Sequence, residues 1–96
     1  MSELKRLTEF VGKTVATSEG RVIGTVADVL LDPTWSVTDI QVKVEKSAAK
    51  EMGLKRPLLG SLLILVETSR IKAVTDQVLI DIQLPEFKSY VDGRSS

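Results

Sequence analysis

Turn-forming residues interrupt this chain so often that little more than short strands fits between them. Clusters of Gly, Pro, Asp, Ser and Thr recur about every 8–12 residues, the spacing typical of small sandwiches and barrels. The segments between them are rich in Val, Ile and Leu. We predict strands over 13–17, 21–31, 37–45, 62–66, 71–74 and 78–84, and one short helix over 47–53. The predicted fold class is therefore all-β, a small barrel with short helical or irregular termini.

Helical signals are confined to three short segments. Ser47 and Gly53 have the residue types of a helix N-cap and a C-terminal stop, and they bound the predicted helix between the third and fourth strands. Residues 1–12 carry a short helical stripe with Ser2 as a candidate N-cap. The apolar residues of the tail, 85–96, also have helical spacing before the chain frays.

The longest predicted strand, 21–31, has an irregular apolar pattern. Ile23, Val26 and Val29 are three residues apart, and a flat strand would send such neighbours to opposite faces. A bulge or coil near Gly24 would restore the phase. Gly20, before this strand, suits the position of a three-residue hairpin loop that needs a positive φ.

Two aspartates in the same run are candidates for chemistry. Asp28 and Asp32 lie four residues apart, but two carboxylates supply too few oxygen ligands for a hard cation. A phosphate cradle built on Gly20 and Gly24 would open a helix, and a β-rich segment follows instead. We favour structural roles, in which Asp28 satisfies a nearby backbone or basic group and Asp32, with Pro33, begins a turn.

Composition narrows the functional classes. The 13 basic and 13 acidic residues cancel, so charge gives no reason to expect nucleic acid or anionic membranes as partners. The absence of Cys and His excludes thiolate chemistry and removes the commonest general base and metal ligand. Catalysis by Asp, Glu, Lys, Tyr or Ser stays open but lacks its usual partner, and with no convergent acid cluster we expect no enzyme activity, no metal and no cofactor. The N-terminus has no apolar run of the kind found in signal peptides, and we expect a cytoplasmic protein without membrane insertion.

The apolar run over residues 58–66 suggests self-association. Residues 62–66 of this run have the pattern of a strand that is covered on both faces. The run holds more consecutive apolar residues than one barrel face can hide, and small barrels leave strand edges open. We expect a homodimer or a longer assembly with Leu63 or Leu65 near the contact.

Three aromatic residues are candidate partner anchors. Trp35 either covers an open end of the barrel or is an exposed anchor, since tryptophan is enriched at binding hot spots. Phe87 and Tyr90 either pack on their own barrel or dock on a neighbour. Aromatic residues are not interleaved with the basic ones, so DNA is not expected as a partner and RNA is a poor fit.

Several of these residues together resemble the PRC-barrel family. The matching elements are GKTV at 12–15, Gly20, IGTVADV at 23–29, Asp32 and the closing hairpin IKAVTDQV at 71–78. The resemblance covers about residues 11–84, leaving 1–10 as an N-terminal arm and 85–96 as a C-terminal tail.

The resemblance implies a docking protein rather than an enzyme. PRC barrels occur in the reaction-centre H subunit, in a bacterial ribosome-maturation factor and as short stand-alone archaeal proteins, and this chain looks like the third kind. Some of that kind belong to the FtsZ-based division machinery. The resemblance thus implies an adaptor that acts at the division site and binds the membrane anchor of the FtsZ ring or a paralogous PRC-barrel protein. The turn that carries Trp35 is usually small and polar in the family.

Two other classes of function stay open. The first is a ribosome-assembly or RNA-processing accessory factor, for which salt-dependent RNA binding would be the sign. The second is a small-ligand or metal-binding barrel, which added ligand or divalent ion would stabilise.

Overall fold

Apolar residues at alternate positions build most of the secondary structure. The computed structural model describes residues 7–54 and 61–94. Its strands and α-helices are, in chain order, α1 (Leu7–Phe10), β1 (Thr14–Thr17), β2 (Val22–Leu31), β3 (Val37–Val44), α2 (Lys46–Met52), β4 (Leu62–Glu67), β5 (Ile71–Val74), β6 (Gln77–Ile80) and α3 (Phe87–Arg94). Two single 3₁₀ turns, Thr68–Arg70 and Leu84–Glu86, connect the last elements.

The six strands form one mixed sheet in the order β4-β3-β2-β1-β6-β5. Neighbouring strands are antiparallel except for β1 and β6, which run parallel. The prediction of a mostly β domain is confirmed, as is the short helix between the third and fourth strands. β2 is the longest of the described strands, as its sequence indicated.

A single apolar core lies on the inner face of the sheet. It takes side chains from the strands, from α2 and from the start of α3: Val15, Ile23, Val26, Ile40, Val42, Val44, Ala48, Ala49, Met52, Ile64, Val66, Val78, Ile80, Ile82 and Phe87. Phe10 at the end of α1 packs against its edge, while the next residue, Val11, is 49% exposed. The other predicted features of the N-terminal arm, including the cap at Ser2, lie outside the described residues.

Irregularities in β2 restore the phase of its apolar residues. Against β1, the pairing shifts between Gly24 and Val22, and against β3 it shifts between Val26 and Asp28. Each shift inserts an extra residue in β2, which bends the strand and resets which side chains face inward. Ile23 and Val26 are buried and Val29 packs against the core.

Gly24 also allows close approach of two backbones. A Cβ atom there would clash with the Lys43 carbonyl oxygen and lie 2.9 Å from the Lys43 carbonyl carbon. β2 and β3 therefore come together at a point where any side chain on β2 would push β3 away.

The predicted burial of the fourth strand is wrong. β4 alternates: Ile64 and Val66 are buried, whereas Leu63 is 47% and Leu65 37% exposed. β4 ends the sheet order, and a continuous apolar run does not reveal whether a second layer covers its outer face. The first residues of the run, 58–60, lie outside the described part of the chain.

The start of the predicted helix and the end of the last predicted strand also differ. α2 begins at Lys46 with Glu45 as N-cap, so Ser47 lies inside the first turn; Gly53 ends the helix with φ 75°, as predicted. β6 ends at Ile80 rather than at residue 84, because Ile80 pairs with Ile71 of β5 and with Thr17 of β1, and both partner strands end there. Ile82 is nevertheless buried.

Candidate interaction surface

The β2–β3 hairpin closes through a three-residue loop built on Asp32. The Asp32 N–H donates to the Ser36 carbonyl at 2.9 Å, and the Trp35 N–H donates to the Asp32 carbonyl at 2.9 Å. The Asp32 Oδ1 atom accepts from the Thr34 N–H at 2.9 Å, the Thr34 hydroxyl at 2.6 Å and the Ser36 N–H at 3.1 Å. This carboxylate therefore organises the whole turn, with Pro33 at the position where its fixed φ suits a type I geometry.

These hydrogen bonds keep Asp32 ionised. The bond from the Thr34 hydroxyl, followed by that from the Ser36 backbone, lowers the pKa of Asp32 from its ordinary value of 3.8. The hairpin turn thus carries a negative charge at any pH near neutrality.

The same loop geometry occurs in the β1–β2 hairpin. There the Thr17 N–H donates to the Arg21 carbonyl, the Gly20 N–H to the Thr17 carbonyl, and the Arg21 N–H to the Thr17 Oγ1 atom. Gly20 has φ 92°, which glycine adopts freely. In the second loop, the equivalent residue is Trp35.

Trp35 is held in a backbone conformation that its side chain disfavours. Its φ is 67°, and it is the non-glycine residue with positive φ in the described chain. A left-handed conformation costs an L-residue about 1–2 kcal/mol. A bulky residue at such a position is an outlier that invites a functional explanation.

Trp35 is also the most exposed large apolar residue described. It is 81% accessible to solvent, so it is an exposed residue and not a lid over the core. Two strand residues beside the loop, Leu31 and Val37, are register partners and are each 39% exposed. Register partners project from the same face of a sheet. We call Leu31, Trp35 and Val37 the hairpin tip.

The strands beneath the hairpin tip are acidic. Residues 22–42 contain Asp28, Asp32 and Asp39 and no Lys or Arg. Asp28 is exposed, and its Oδ1 atom accepts the N–H of Val29 at 2.8 Å. Lysines return only from Lys43 onwards, at the far end of β3.

The two aspartates do not form a cation site with other acids. No group of three acidic side chains able to hold a metal occurs within residues 7–54 and 61–94. Asp28 and Asp32 instead satisfy backbone groups next to them in the chain. Gly20 and Gly24 serve a turn and a close strand contact, and no helix begins after either of them.

The other two aromatic candidates are attached to their own domain. Phe87 is completely buried and belongs to the core, so the partner-binding role predicted for it is not retained. The Tyr90 hydroxyl accepts the Glu67 N–H at 2.9 Å, and the Arg70 guanidinium carbon lies 5.7 Å from the centre of the Tyr90 ring. These contacts fasten α3 to the end of β4.

One polar cluster around α3 was missed at the sequence level. The Arg70 Nε atom donates to Asp81 Oδ1 at 2.6 Å, and this hydrogen bond raises the pKa of Arg70 above its ordinary value. The cluster joins β4, β5 and the chain after β6. A sequence signal for it was lacking, since Arg70, Asp81 and Tyr90 are about ten residues apart with no motif spacing.

The candidate self-association residues lie on an edge strand. Leu63 and Leu65 face Lys43 and Gln41 of β3 across the sheet. Beside them, β4 and α3 border an apolar groove of about 380 Å³, lined by Gly53, Leu54, Leu62, Leu63, Ile64, Lys88 and Val91. In the described part of the chain, no helix is long and apolar enough to cross a membrane.

Comparison with known proteins places this architecture in a family. A search of the curated proteins found no match. Among solved structures, the chain is similar to RimM, a 16S ribosomal RNA processing protein of Pseudomonas aeruginosa, with a TM-score of 0.54 and 12% identity over 82% of this chain and 44% of that one. The chain thus spans less than half of RimM, and the likeness is one of fold. The family model of the PRC-barrel domain matches residues 2–83. The chain belongs to the PRC-barrel domain family.

Proposed function

We propose that this chain is a non-enzymatic docking module that binds another protein through its hairpin tip. One observation carries the proposal: the tryptophan of this hairpin is 81% exposed and holds a positive φ that glycine would adopt without strain. Because the ring is so exposed, its packing contributes little to the stability of the domain, while the backbone conformation of Trp35 is unfavourable. Binding energy in a complex would account for both.

The neighbours of Trp35 support this use. Leu31 and Val37 extend the apolar surface from the loop onto the ends of both strands. Several adjacent apolar side chains on a rigid, hydrogen-bonded turn lose little conformational freedom on binding, which favours affinity. Asp32 supplies that rigidity through three hydrogen bonds to one carboxylate oxygen.

Self-association through β4 is the second part of the proposal. Leu63 and Leu65 project from the outer face of an edge strand, and such strands offer unpaired backbone groups to another chain. The described β4 contains no Pro or Lys, and its pairing with β3 has no register shift that would twist it away.

The cellular setting rests on the resemblance to stand-alone archaeal PRC-barrel proteins. In that setting, the chain is an adaptor of the FtsZ-based division machinery that docks on the membrane anchor of the ring or on a paralogous PRC-barrel protein. Membership of the PRC-barrel family supports this setting without naming the partner.

The test is capture of partners by wild type and by a Trp35→Ala variant as baits in cells of the source organism. A protein bound through the hairpin tip should be enriched on wild type and depleted roughly thirtyfold on the variant, the effect of losing about 2 kcal/mol. Val74→Ala is the matched control, since Val74 is also exposed but lies on β5, which β1 and β6 separate from the hairpin in the sheet order. Equal capture by all three baits would contradict the proposal.

The RNA-linked alternative makes a different prediction. The observation in its favour is the similarity of fold to RimM. Binding to RNA would weaken steeply with salt and would depend on Lys and Arg, which residues 22–42 lack. Titration of ribosomal RNA at two salt concentrations, with the Trp35→Ala variant alongside, separates the two functions.

A further inference from the structure

We infer that the partner surface recognised by the hairpin tip is apolar and ringed by lysine or arginine side chains. This inference rests on the proposed function and deepens it by assigning the chemistry of the partner. It follows from the charge around the tip rather than from its apolar residues.

The two strands of the hairpin and the loop between them carry one aspartate each. Over residues 22–42, the charged residues are three aspartates. Asp28 is exposed on β2, and Asp32 lies in the loop next to the hairpin tip, with a lowered pKa that keeps it negative. A partner that covers Trp35 would bring its own rim close to these carboxylates.

Electrostatic complementarity decides which rim is compatible. Opposite charges at the rim of an interface speed association and exclude wrong partners, whereas like charges are unfavourable. An anionic lipid surface and a nucleic acid would both place negative charge against Asp28 and Asp32. Each is therefore a poor occupant for this tip.

A second copy of the chain is also disfavoured at this position. A two-fold contact of the hairpin tip with itself would use the same surface on both subunits. It would bring two acidic hairpins together with no described basic residue of β2 or of the loop between them. The occupant that fits is a different, cationic protein surface.

Two designed peptides test this inference with the full chain. One is an amphipathic helix of leucine and lysine, and the other has the same length with glutamate in place of lysine. Trp35 is the single tryptophan of the chain, so its fluorescence reports directly on whether a peptide covers the tip. We expect the lysine peptide to shift the Trp35 emission to the blue and the glutamate peptide to leave it unchanged.

Charge variants separate a specific contact from general attraction. In the double variant Asp28→Asn with Asp32→Asn, each amide oxygen can still accept the local hydrogen bonds, but the negative charges of both side chains are removed. We expect binding of the labelled lysine peptide, followed by anisotropy, to weaken about fivefold to tenfold. Asp76→Asn, in the exposed β5–β6 turn, is the matched control and should leave binding unchanged.

The outcomes distinguish this inference from the proposed function. If both peptides bind and both are lost in Trp35→Gly, the tip is a docking site, but its preference for a cationic partner is overturned. The inference is also overturned if Asp76→Asn weakens binding as much as the double variant does, or if neither peptide moves the Trp35 emission. A blue shift of the wild-type emission with the lysine peptide supports it, provided that anisotropy of the labelled peptide shows binding lost in Trp35→Gly and weakened at high salt.

Discussion

Gly20 and Trp35 occupy the same position in two hairpin loops of the same geometry. Each donates its N–H to the carbonyl of the first turn residue, and each has a positive φ, 92° for Gly20 and 67° for Trp35. The fold requires this conformation twice, and glycine meets the requirement without strain in the first loop only. The conformation of the turn therefore gives no reason for a tryptophan in the second loop.

Replacing Trp35 by glycine should leave the domain as stable or more stable. The substitution relieves the strain of positive φ, while the greater freedom of glycine in the unfolded chain offsets part of the gain, leaving up to about 1 kcal/mol. For a domain of this size, 1 kcal/mol corresponds to about 4–8 °C in melting temperature. Thermal unfolding followed by circular dichroism provides the measurement.

Trp35→Ala is the control, because alanine removes the ring and keeps the strained Cβ. Its free energy of unfolding should lie within about 0.5 kcal/mol of the wild-type value, as is usual for surface substitutions. A clear fall in melting temperature for both variants would mean that the ring packs against its own domain.

Gly24 and Gly20 should respond to alanine for different reasons. Alanine at Gly24 would clash with the Lys43 backbone, and overpacking of this kind costs about 1–3 kcal/mol or more because the two strands must separate. Nothing lies within 4 Å of a Cβ at Gly20, so alanine there meets only the φ penalty of about 1 kcal/mol. Urea unfolding of the two variants should rank Gly24→Ala below Gly20→Ala; the reverse order would be incompatible with the close contact of β2 and β3.

Phe87→Ala should be strongly destabilising. The side chain is fully buried among core residues, and removing a buried phenylalanine typically costs 3–5 kcal/mol through lost burial and a residual cavity, so we expect about that range here. Denaturant unfolding measures the loss, with Trp35→Ala as the exposed aromatic control. A variant as stable as wild type would place α3 away from the core.

The sequence pattern was sufficient for the sheet but not for its outer surface. Alternation in β3 and β6 and the irregular spacing of Ile23, Val26 and Val29 depend on which side chains are apolar, so they predict strands and a bent β2. Coverage of β4 depends on what packs against it, which local pattern does not contain. The exposure of Leu63 could therefore not be predicted from the sequence.

The sequence predicted where the candidate site lies, but not the backbone conformation or the burial of its aromatic residues. Asp32 and Pro33 marked the turn through their own conformational preferences. The positive φ of Trp35 was not indicated, since tryptophan is a residue type that turns of this class rarely place there. Phe87 and Tyr90 share helical spacing, but the spacing alone does not distinguish their environments. Phe87 is buried in the core, whereas the Tyr90 hydroxyl accepts the Glu67 N–H.

Asp32 should titrate below its ordinary pKa of 3.8. Its folded-state pKa is lowered by hydrogen bonds to the ionised form, so its contribution to stability is fully present above the unfolded pKa and is lost as pH falls through the folded one. The amide resonances of Thr34 and Ser36 should shift with that same midpoint in an NMR titration. Asp32→Asn should abolish this transition, and a midpoint at or above 3.8 would show that the turn does not depend on the ionised carboxylate.

Self-association through β4 should be abolished by charges on its outer face. In Leu63→Glu with Leu65→Gln, the new carboxylate lies across from Lys43 and the new amide across from Gln41, so no like charges meet within the domain, and the new side chains supply no opposite charges that could pair across a two-fold contact. In a two-fold contact each leucine is used twice, and the double variant therefore changes four side chains at one interface. Sedimentation at tens of micromolar, on the order of weak-dimer affinities, should show wild type as a dimer or larger and the variant as a monomer.

Val74→Glu on the opposite edge strand, at a residue 43% exposed, is the control and should remain associated. A monomeric wild type, or dissociation by Val74→Glu as well, would remove β4 as the interface, because the contact would then be absent or would lie on β5.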